Sequence, residues 1–371
     1  MQNLYIVYSP FHLLTAYILA NRPGETGDNH LIVLHANCDK WLQSNVLRKM
    51  FEDDCTWKKV NVFRNWLNRK TSFRDIKPQI ELLRGQVSSL GPVNEIYIGV
   101  DNDIKSQLLV EICGKTSFRR FDEGIGSYYA PEKRTWISKQ WHLLRVGLLR
   151  WQAGVKSDMQ YNVSNIGSNK AVTYDYLYKP ELLMRPSPNP VGIDRALVRQ
   201  VIARVTQDVP LYRELEEQDA LLFLNSPFVE LGMAKLEEEH KILLALANVA
   251  REKGIRFVYK PHHLENADKI AFYRNNLPET VLFECVDPVE ILYNSHKRLK
   301  YVVSYLSSGL LHADIFANQD IKAISLVKLY GNNSDENYTE IMRRANVFIP
   351  NTIDQLQDFI KLDSKGAITH V

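Results

Sequence analysis

Short apolar runs rich in Val, Ile, Leu and Tyr alternate along the chain with longer amphipathic segments. "LYIVY", "LIVLH", "EIYIGV" and "SFRRF" occur in the first third, and "ALLFL", "RFVYK", "YVVSY" and "KAISLV" follow later. Near-continuous apolar runs of this length suit strands covered on both faces, with the intervening helices carrying the chain back for parallel pairing. The pattern occurs twice, which predicts an α/β protein with two doubly wound domains facing a cleft. Between the two sets, residues 161–190 show no strand period, and Pro180, Pro186, Pro188 and Pro190 cannot sit in helix interiors or central strands. That stretch reads as a connector. The expected division is 1–190 and 191–371, with a helix from about Ile193 to Thr206 leading into the second domain.

A chain of 371 residues is long enough to give each domain a core of its own. No stretch approaches the roughly 20 apolar residues needed to cross a bilayer. The N-terminal "MQNLYIVYSPFHLLTAYILA" lacks a basic leader and a small-residue cleavage pattern, and Ser9-Pro10 divides it into a strand and a helix, so it does not read as a signal peptide. Cys38, Cys55, Cys113 and Cys285 are scattered without a CxxC pair, which indicates neither a disulfide framework nor zinc. A soluble protein of the reducing cytoplasm is expected. The net charge of +3 gives no argument for nucleic acid, but its distribution is uneven. Lys133 to Ser157 holds six Lys or Arg and no acid, and Trp57 to Lys77 holds seven with the single acid Asp75.

Doubly wound domains bind ligands beyond the carboxyl ends of their strands, so the residues that follow each strand carry the candidate chemistry. After "LYIVY", Ser9 can cap a helix and Pro10 suits its first turn. There is no GxGxxG and no GxxxxGK[ST], which speaks against a standard dinucleotide site or P-loop. Three junctions stand out. Asp122, Glu123, Gly124 and Gly126 follow "SFRRF"; Lys260, His262 and His263 follow "IRFVY"; Ser307, Ser308 and Gly309 lie between "YVVSY" and an apolar helix. Together they offer a carboxylate that can accept a proton, an imidazole that can donate one, and hydroxyls with helix amides that can hold a phosphate. Asn225 and Ser226, after "ALLFL", are further candidates for the same ligand. Adjacent residues such as His262 and His263 diverge, and no third ligand accompanies them, so no metal site and no cofactor are expected.

"DEG" at 122, "KPHH" at 260 and "SSG" at 307 resemble, in order and relative place, the D/E-D/E-G, HP and Ser-Ser motifs of the bacterial sialyltransferases and polysialyltransferases. "YSPFHLLTA" is similar to the opening of that group. The resemblance spans almost the whole chain and implies a glycosyltransferase B fold of two Rossmann-like domains. The N-terminal domain would bind the acceptor and the C-terminal one the CMP-sugar. It further implies an inverting, metal-independent transfer of sialic acid from CMP-sialic acid to a glycan acceptor, in lipooligosaccharide or capsule synthesis. Carried over, Asp122 is the general base with Glu123 as its companion or substitute, and His262 assists departure of CMP. Ser307, Ser308 and Gly309 hold the phosphate, with Lys260 adding charge. Where the family has proline after the histidine, this chain has His263.

Other readings stay open on the sequence. "GVDND" places Asp101 and Asp103 in the DxD pattern of metal-dependent sugar transferases. A CMP-linked Kdo or another nonulosonate would suit the same three motifs, and a non-catalytic scaffold could retain the fold. Trp136, Trp141 and Trp151 lie among five basic residues from 133 to 151, a composition that suits an anionic acceptor or a peripheral contact with an anionic inner-membrane surface. A homodimer is left open.

Overall fold

The computed structural model describes residues 2–25, 27–64, 66, 73–129, 136–155, 166–207, 209, 218–232, 234–262, 264–277, 279–329 and 336–363, the side chains of 73, 136–139, 142 and 363 excepted. One parallel sheet comprises β1 (Gln2–Val7), β2 (Asp28–Leu34), β3 (Lys59–Phe63), β4 (Val93–Ile98), β5 (Phe118–Phe121), β6 (Val172–Leu177) and β7 (Pro190–Gly192), in the order β3-β2-β1-β4-β5-β6-β7. A second comprises β8 (Ala220–Leu224), β9 (Arg256–Lys260), β10 (Val281–Leu282), β11 (Leu299–Ser304) and β12 (Lys322–Ser325), in the order β10-β9-β8-β11-β12. All eight runs chosen for their apolar pattern are strands. In each sheet the strand order reverses beside the first strand, between β1 and β4 and between β8 and β11. The crevice beyond the carboxyl ends at such a reversal is where doubly wound sheets take ligands.

Local chemistry sets the junctions as expected. Ser9 Oγ accepts from His12 N at 3.1 Å and caps the helix Pro10–Ala20, with Pro10 in the first turn. Gly254, at φ +63°, follows the helix Leu236–Glu252 and stops it. In the first core, Leu4, Ile6, Ile32, Ile96 and Ile98 pack with Ile80, Leu83 and Val87 of the helix Phe73–Ser88 and with Leu108 and Leu109 of the helix Ile104–Ile112. In the second, Leu221, Phe223, Tyr259 and Val303 pack with Leu243, Leu246 and Val249 of the helix Leu236–Glu252. Leu356 and Ile360 of the helix Ile353–Asp363 close that core.

The connector and the boundary differ from expectation. The chain divides into Met1–Gln207 with Val286–Pro288, and Asp208–Cys285 with Val289–Val371, so the break falls after Gln207 and not near 190. Pro190 opens the edge strand β7, where a missing N–H is tolerated. The helix Arg195–Thr206 then buries Leu197, Val198, Val201, Ile202 and Val205 and packs on the helices Pro10–Ala20 and Asn45–Phe51, within the first unit. Lys49 Nζ donates to the carbonyls of Arg204 and Gln207 at its C-terminal end, 3.0 Å each.

Strand β6 lay inside the supposed connector. Its central Asp175 is fully buried, which no apolar pattern anticipates. Arg120 of β5 forms an ion pair with Asp175 Oδ1, while Arg185 Nη2 meets Oδ2 at 2.8 Å and Ser187 Oγ donates to the same oxygen at 2.7 Å. Two guanidinium groups thereby neutralise one carboxylate across neighbouring strands. Removing the carboxylate would leave both arginines buried without it. Asp175→Asn should lower stability by about 3–5 kcal/mol, read from the urea midpoint of the chain; a change below about 1 kcal/mol would show that the cluster does not hold β6 in place.

Candidate active site

In the first unit, Asp122 leaves the end of β5 and is fully buried. Its Oδ1 accepts from Gly124 N at 2.8 Å, and its Oδ2 accepts from Tyr178 N at 3.1 Å and from the Tyr128 hydroxyl. Lys179 N donates to that hydroxyl at 3.2 Å. Gly124 stands at φ +116°, ψ −156°, a backbone region that only glycine occupies readily. Gly126 serves a different need: a Cβ there would lie 2.4 Å from Glu123 Oε1. The two glycines therefore let the backbone turn and make room for the second carboxylate.

Ser127 ties this turn to the charged cluster below. Its Oγ accepts from Arg120 Nη1 at 2.9 Å and from Glu123 N at 3.1 Å, and its carbonyl accepts from Arg185 Nε at 2.9 Å. Glu123 is half-buried. Burial pushes its carboxyl up to about 8, against the lowering effect of Arg120 and with Asp122 and Asp101 adding to the rise. Asp122 and Glu123, adjacent in sequence, are thus in different states: one is bound by three donors, the other is a carboxyl that changes charge near neutral pH.

The DxD residues are engaged elsewhere. Asp101, fully buried, accepts from Gly167 N at 2.5 Å and Asn169 N at 3.1 Å. Asp103 caps the helix Ile104–Ile112 through Lys105 N. Gly167, at φ +78°, is required, since a Cβ would lie 1.9 Å from Arg185 Nη2.

In the second unit, the loop after β9 is organised by Glu265. Its Oε1 accepts from His262 N and from Asn225 Nδ2, both at 2.7 Å, and its Oε2 accepts from the Tyr259 hydroxyl at 2.7 Å. Leu264 N donates to His262 Nδ1 at 3.3 Å, which leaves the ring proton on Nε2. Lys260 Nζ donates to the Cys285 carbonyl at 2.7 Å. Asn225, directly after β8, spends its amide nitrogen on this network, while its buried Oδ1 has no partner among the described residues. Ser226 is buried beside it and its carbonyl accepts from Phe228 N at 2.8 Å. His263 lies outside the described residues.

Across the strand reversal, Ser307 and Ser308 precede the helix Gly309–Phe316. Ser307 Oγ accepts from Gly309 N at 3.2 Å, whereas the Ser308 side chain makes no capping bond. Gly309 allows a close crossing, because a Cβ would stand 2.6 Å from Val289 Cγ1 of the helix Val289–Ser295. The helix start and the β9 loop follow strands that flank the same central strand, β8.

A family model for alpha-2,8-polysialyltransferase (POLYST) matches residues 3–328. The chain belongs to this family. As a polysialyltransferase-family member it is a glycosyltransferase of sialic acid, with a nucleotide-sugar donor and a glycan acceptor. No curated protein sequence matches it. Among solved structures, it is similar to a UDP-GlcNAc 2-epimerase from Methanocaldococcus jannaschii, at 10% identity and a TM-score of 0.56 over 97% of this chain and 92% of that one. A UDP-GlcNAc 2-epimerase from Neisseria meningitidis, bound to UDP-GlcNAc, gives 11% identity and 0.53 over 99% and 100%. At such identity the likeness establishes the fold, which is the glycosyltransferase B type with two Rossmann-like domains.

Of the expected residues, Asp122, Glu123 and the glycines share one turn of the first unit, and His262 and Asn225 share the Glu265 network of the second, with the Lys260 carbonyl accepting from Asn225 N at 3.1 Å. Arg120, Asp175, Arg185, Tyr128 and Glu265 were missed. Charged residues inside strand-like runs, as in "FRRF" and "VTYDYL", were the available signal. The state of Glu123 has a consequence for folding. The folded chain retains the Glu123 proton up to about pH 8, while the unfolded chain releases it in the ordinary carboxylate range, so stability falls as pH rises between these limits. Glu123→Gln should flatten the urea midpoint against pH from about 5 to 8 relative to the parent; parallel curves would show that the carboxyl is not held protonated.

Proposed function

We propose that the protein transfers sialic acid from CMP-sialic acid to a hydroxyl of a sialylated glycan, with inversion and without a metal, as a step in bacterial surface-polysaccharide synthesis. The acceptor oxygen attacks the anomeric carbon, its proton passes to a carboxylate, and the bond to the phosphate oxygen of CMP breaks. We assign the proton to Glu123 and the holding of the turn to Asp122, the reverse of the order suggested by the motif. The observation that carries this is the contrast between an Asp122 saturated by Gly124, Tyr178 and Tyr128 and a Glu123 poised near neutrality. A base is most effective when its pKa lies near the working pH.

On the donor side, the Ser307 and Ser308 hydroxyls, the amides at the start of the helix Gly309–Phe316 and the Lys260 ammonium would bind the phosphate. His262 would donate to it through Nε2, a hydrogen bond being sufficient because a phosphate monoester leaves without full protonation. Asn225 Oδ1 would accept from a hydroxyl or amine of the donor.

Rates with CMP-sialic acid, read as CMP release and product mass alongside other CMP-activated sugars, test the reading. Turnover should rise with pH through about 8, and Glu123→Gln should abolish that limb and reduce the rate about a hundred- to ten-thousandfold with CMP affinity retained. A larger loss of turnover in Asp122→Asn, with the pH limb kept in Glu123→Gln, returns the role to Asp122. Replacing both Ser307 and Ser308 with Ala should weaken CMP binding at least about tenfold, as loss of two charge-assisted hydrogen bonds implies. His262→Ala should remove most turnover under single-turnover conditions, and His263→Ala should leave most of it.

A further inference from the structure

The helix Trp136–Ala153 has two apolar faces. Val146 and Ala153 are buried and Leu149 packs against the first core, so this side seats the helix on its domain. On another side, Trp141, Leu144, Leu148 and Trp151 recur at three- and four-residue intervals and therefore share one face. They are 69%, 56%, 44% and 75% exposed. A docked helix that already has its core contact gains nothing within the fold from a second apolar stripe. About 15 Å of helix separates the two tryptophans, with the leucines between them.

We propose that this stripe seats the protein on an anionic phospholipid surface. Three observations select that occupant. Aromatic rings at both ends of a leucine row match the interfacial region of a bilayer, where indole sits between headgroups and acyl chains. The run from Lys133 to Ser157 carries six cations and no acid, which complements anionic headgroups; Lys133, Arg134 and Lys156 lie outside the described residues, as does the side chain of Lys139, and these four contribute here by sequence alone. Arg145 is exposed on the same helix, whereas Arg150 is engaged by Glu111 at 3.0 Å. A second copy meeting the first through this face would bring two acid-free basic runs together, and a soluble anionic glycan would leave Leu144 and Leu148 in water. The inference uses no donor chemistry and does not depend on the proposed reaction.

Sedimentation with vesicles of phosphatidylglycerol and phosphatidylcholine, against phosphatidylcholine alone, tests it on the full chain. The parent should bind the anionic vesicles, lose binding as salt rises, and show a blue shift of tryptophan emission, since Trp41, Trp57 and Trp66 are already buried. The double variant Trp141→Ser, Trp151→Ser should partition at least about tenfold less and lose the blue shift, with its thermal melt and its transfer to a soluble acceptor unchanged. Arg145→Glu should weaken binding to anionic vesicles alone. Absent binding by the parent, or equal binding by the double tryptophan variant, overturns the proposal. So does a parent dimer in sedimentation velocity that the tryptophan variant dissolves, or displacement from vesicles by soluble oligosialic acid.

Discussion

Two buried guanidinium groups share the carboxylate of Asp175, and the turn that carries Asp122 and Glu123 rests on that arrangement. Arg120 lies on β5 and Asp175 on β6, so the cluster joins two neighbouring strands where an apolar pair would ordinarily stand. Arg185, from the segment after β6, brings a second positive charge and also reaches the carbonyls of Ser127 and Gly167. A buried ion pair of this kind is a weak source of stability but a strong source of geometry, because every group that moves leaves a charge uncompensated. The turn that carries Asp122 and Glu123 inherits that rigidity through Ser127. The same positive field bears on Glu123, yet burial outweighs it and the carboxyl holds its proton to about 8.

The second unit organises its loop around one carboxylate. Glu265 gathers the backbone of His262, the amide of Asn225 and the hydroxyl of Tyr259, and behind them Glu239 is paired with Lys269 at 2.7 Å and accepts from Tyr273 at 2.6 Å. The described part of the loop after β9 is thereby held by one carboxylate. The imidazole of His262 is oriented by a backbone N–H on one nitrogen, which determines the nitrogen it can donate from.

Three sets of positive charge in this protein stand in different settings. Arg120 and Arg185 are structural and out of contact with solvent, Lys260 is held by a carbonyl at a strand end, and the cations around the helix Trp136–Ala153 accompany an outward apolar row. A net charge of +3 conceals all of this. What distinguishes the three groups is burial and partner, and both are properties of the folded chain.

The sequence by itself determined the class of fold, because eight apolar runs separated by amphipathic segments leave a parallel, doubly wound arrangement as the way to cover both faces of each strand. It also singled out the strand-end junctions, since Asp122, His262 and Ser307 all follow such runs and each does sit just after a strand. Tertiary structure alone decided the rest. Strand β6 escaped notice because Asp175 interrupts its apolar period, and its charge is tolerated only through arginines 55 residues before and 10 residues after it in the chain. The boundary after Gln207 depends on which unit the helix Arg195–Thr206 buries its apolar side in, and periodicity reports that such a side exists without naming its partner. The different conditions of Asp122 and Glu123 arise from the donors Gly124, Tyr128 and Tyr178 around the one and from the burial of the other. Local pattern records what each residue prefers, whereas burial and charge pairing depend on neighbours that only folding supplies.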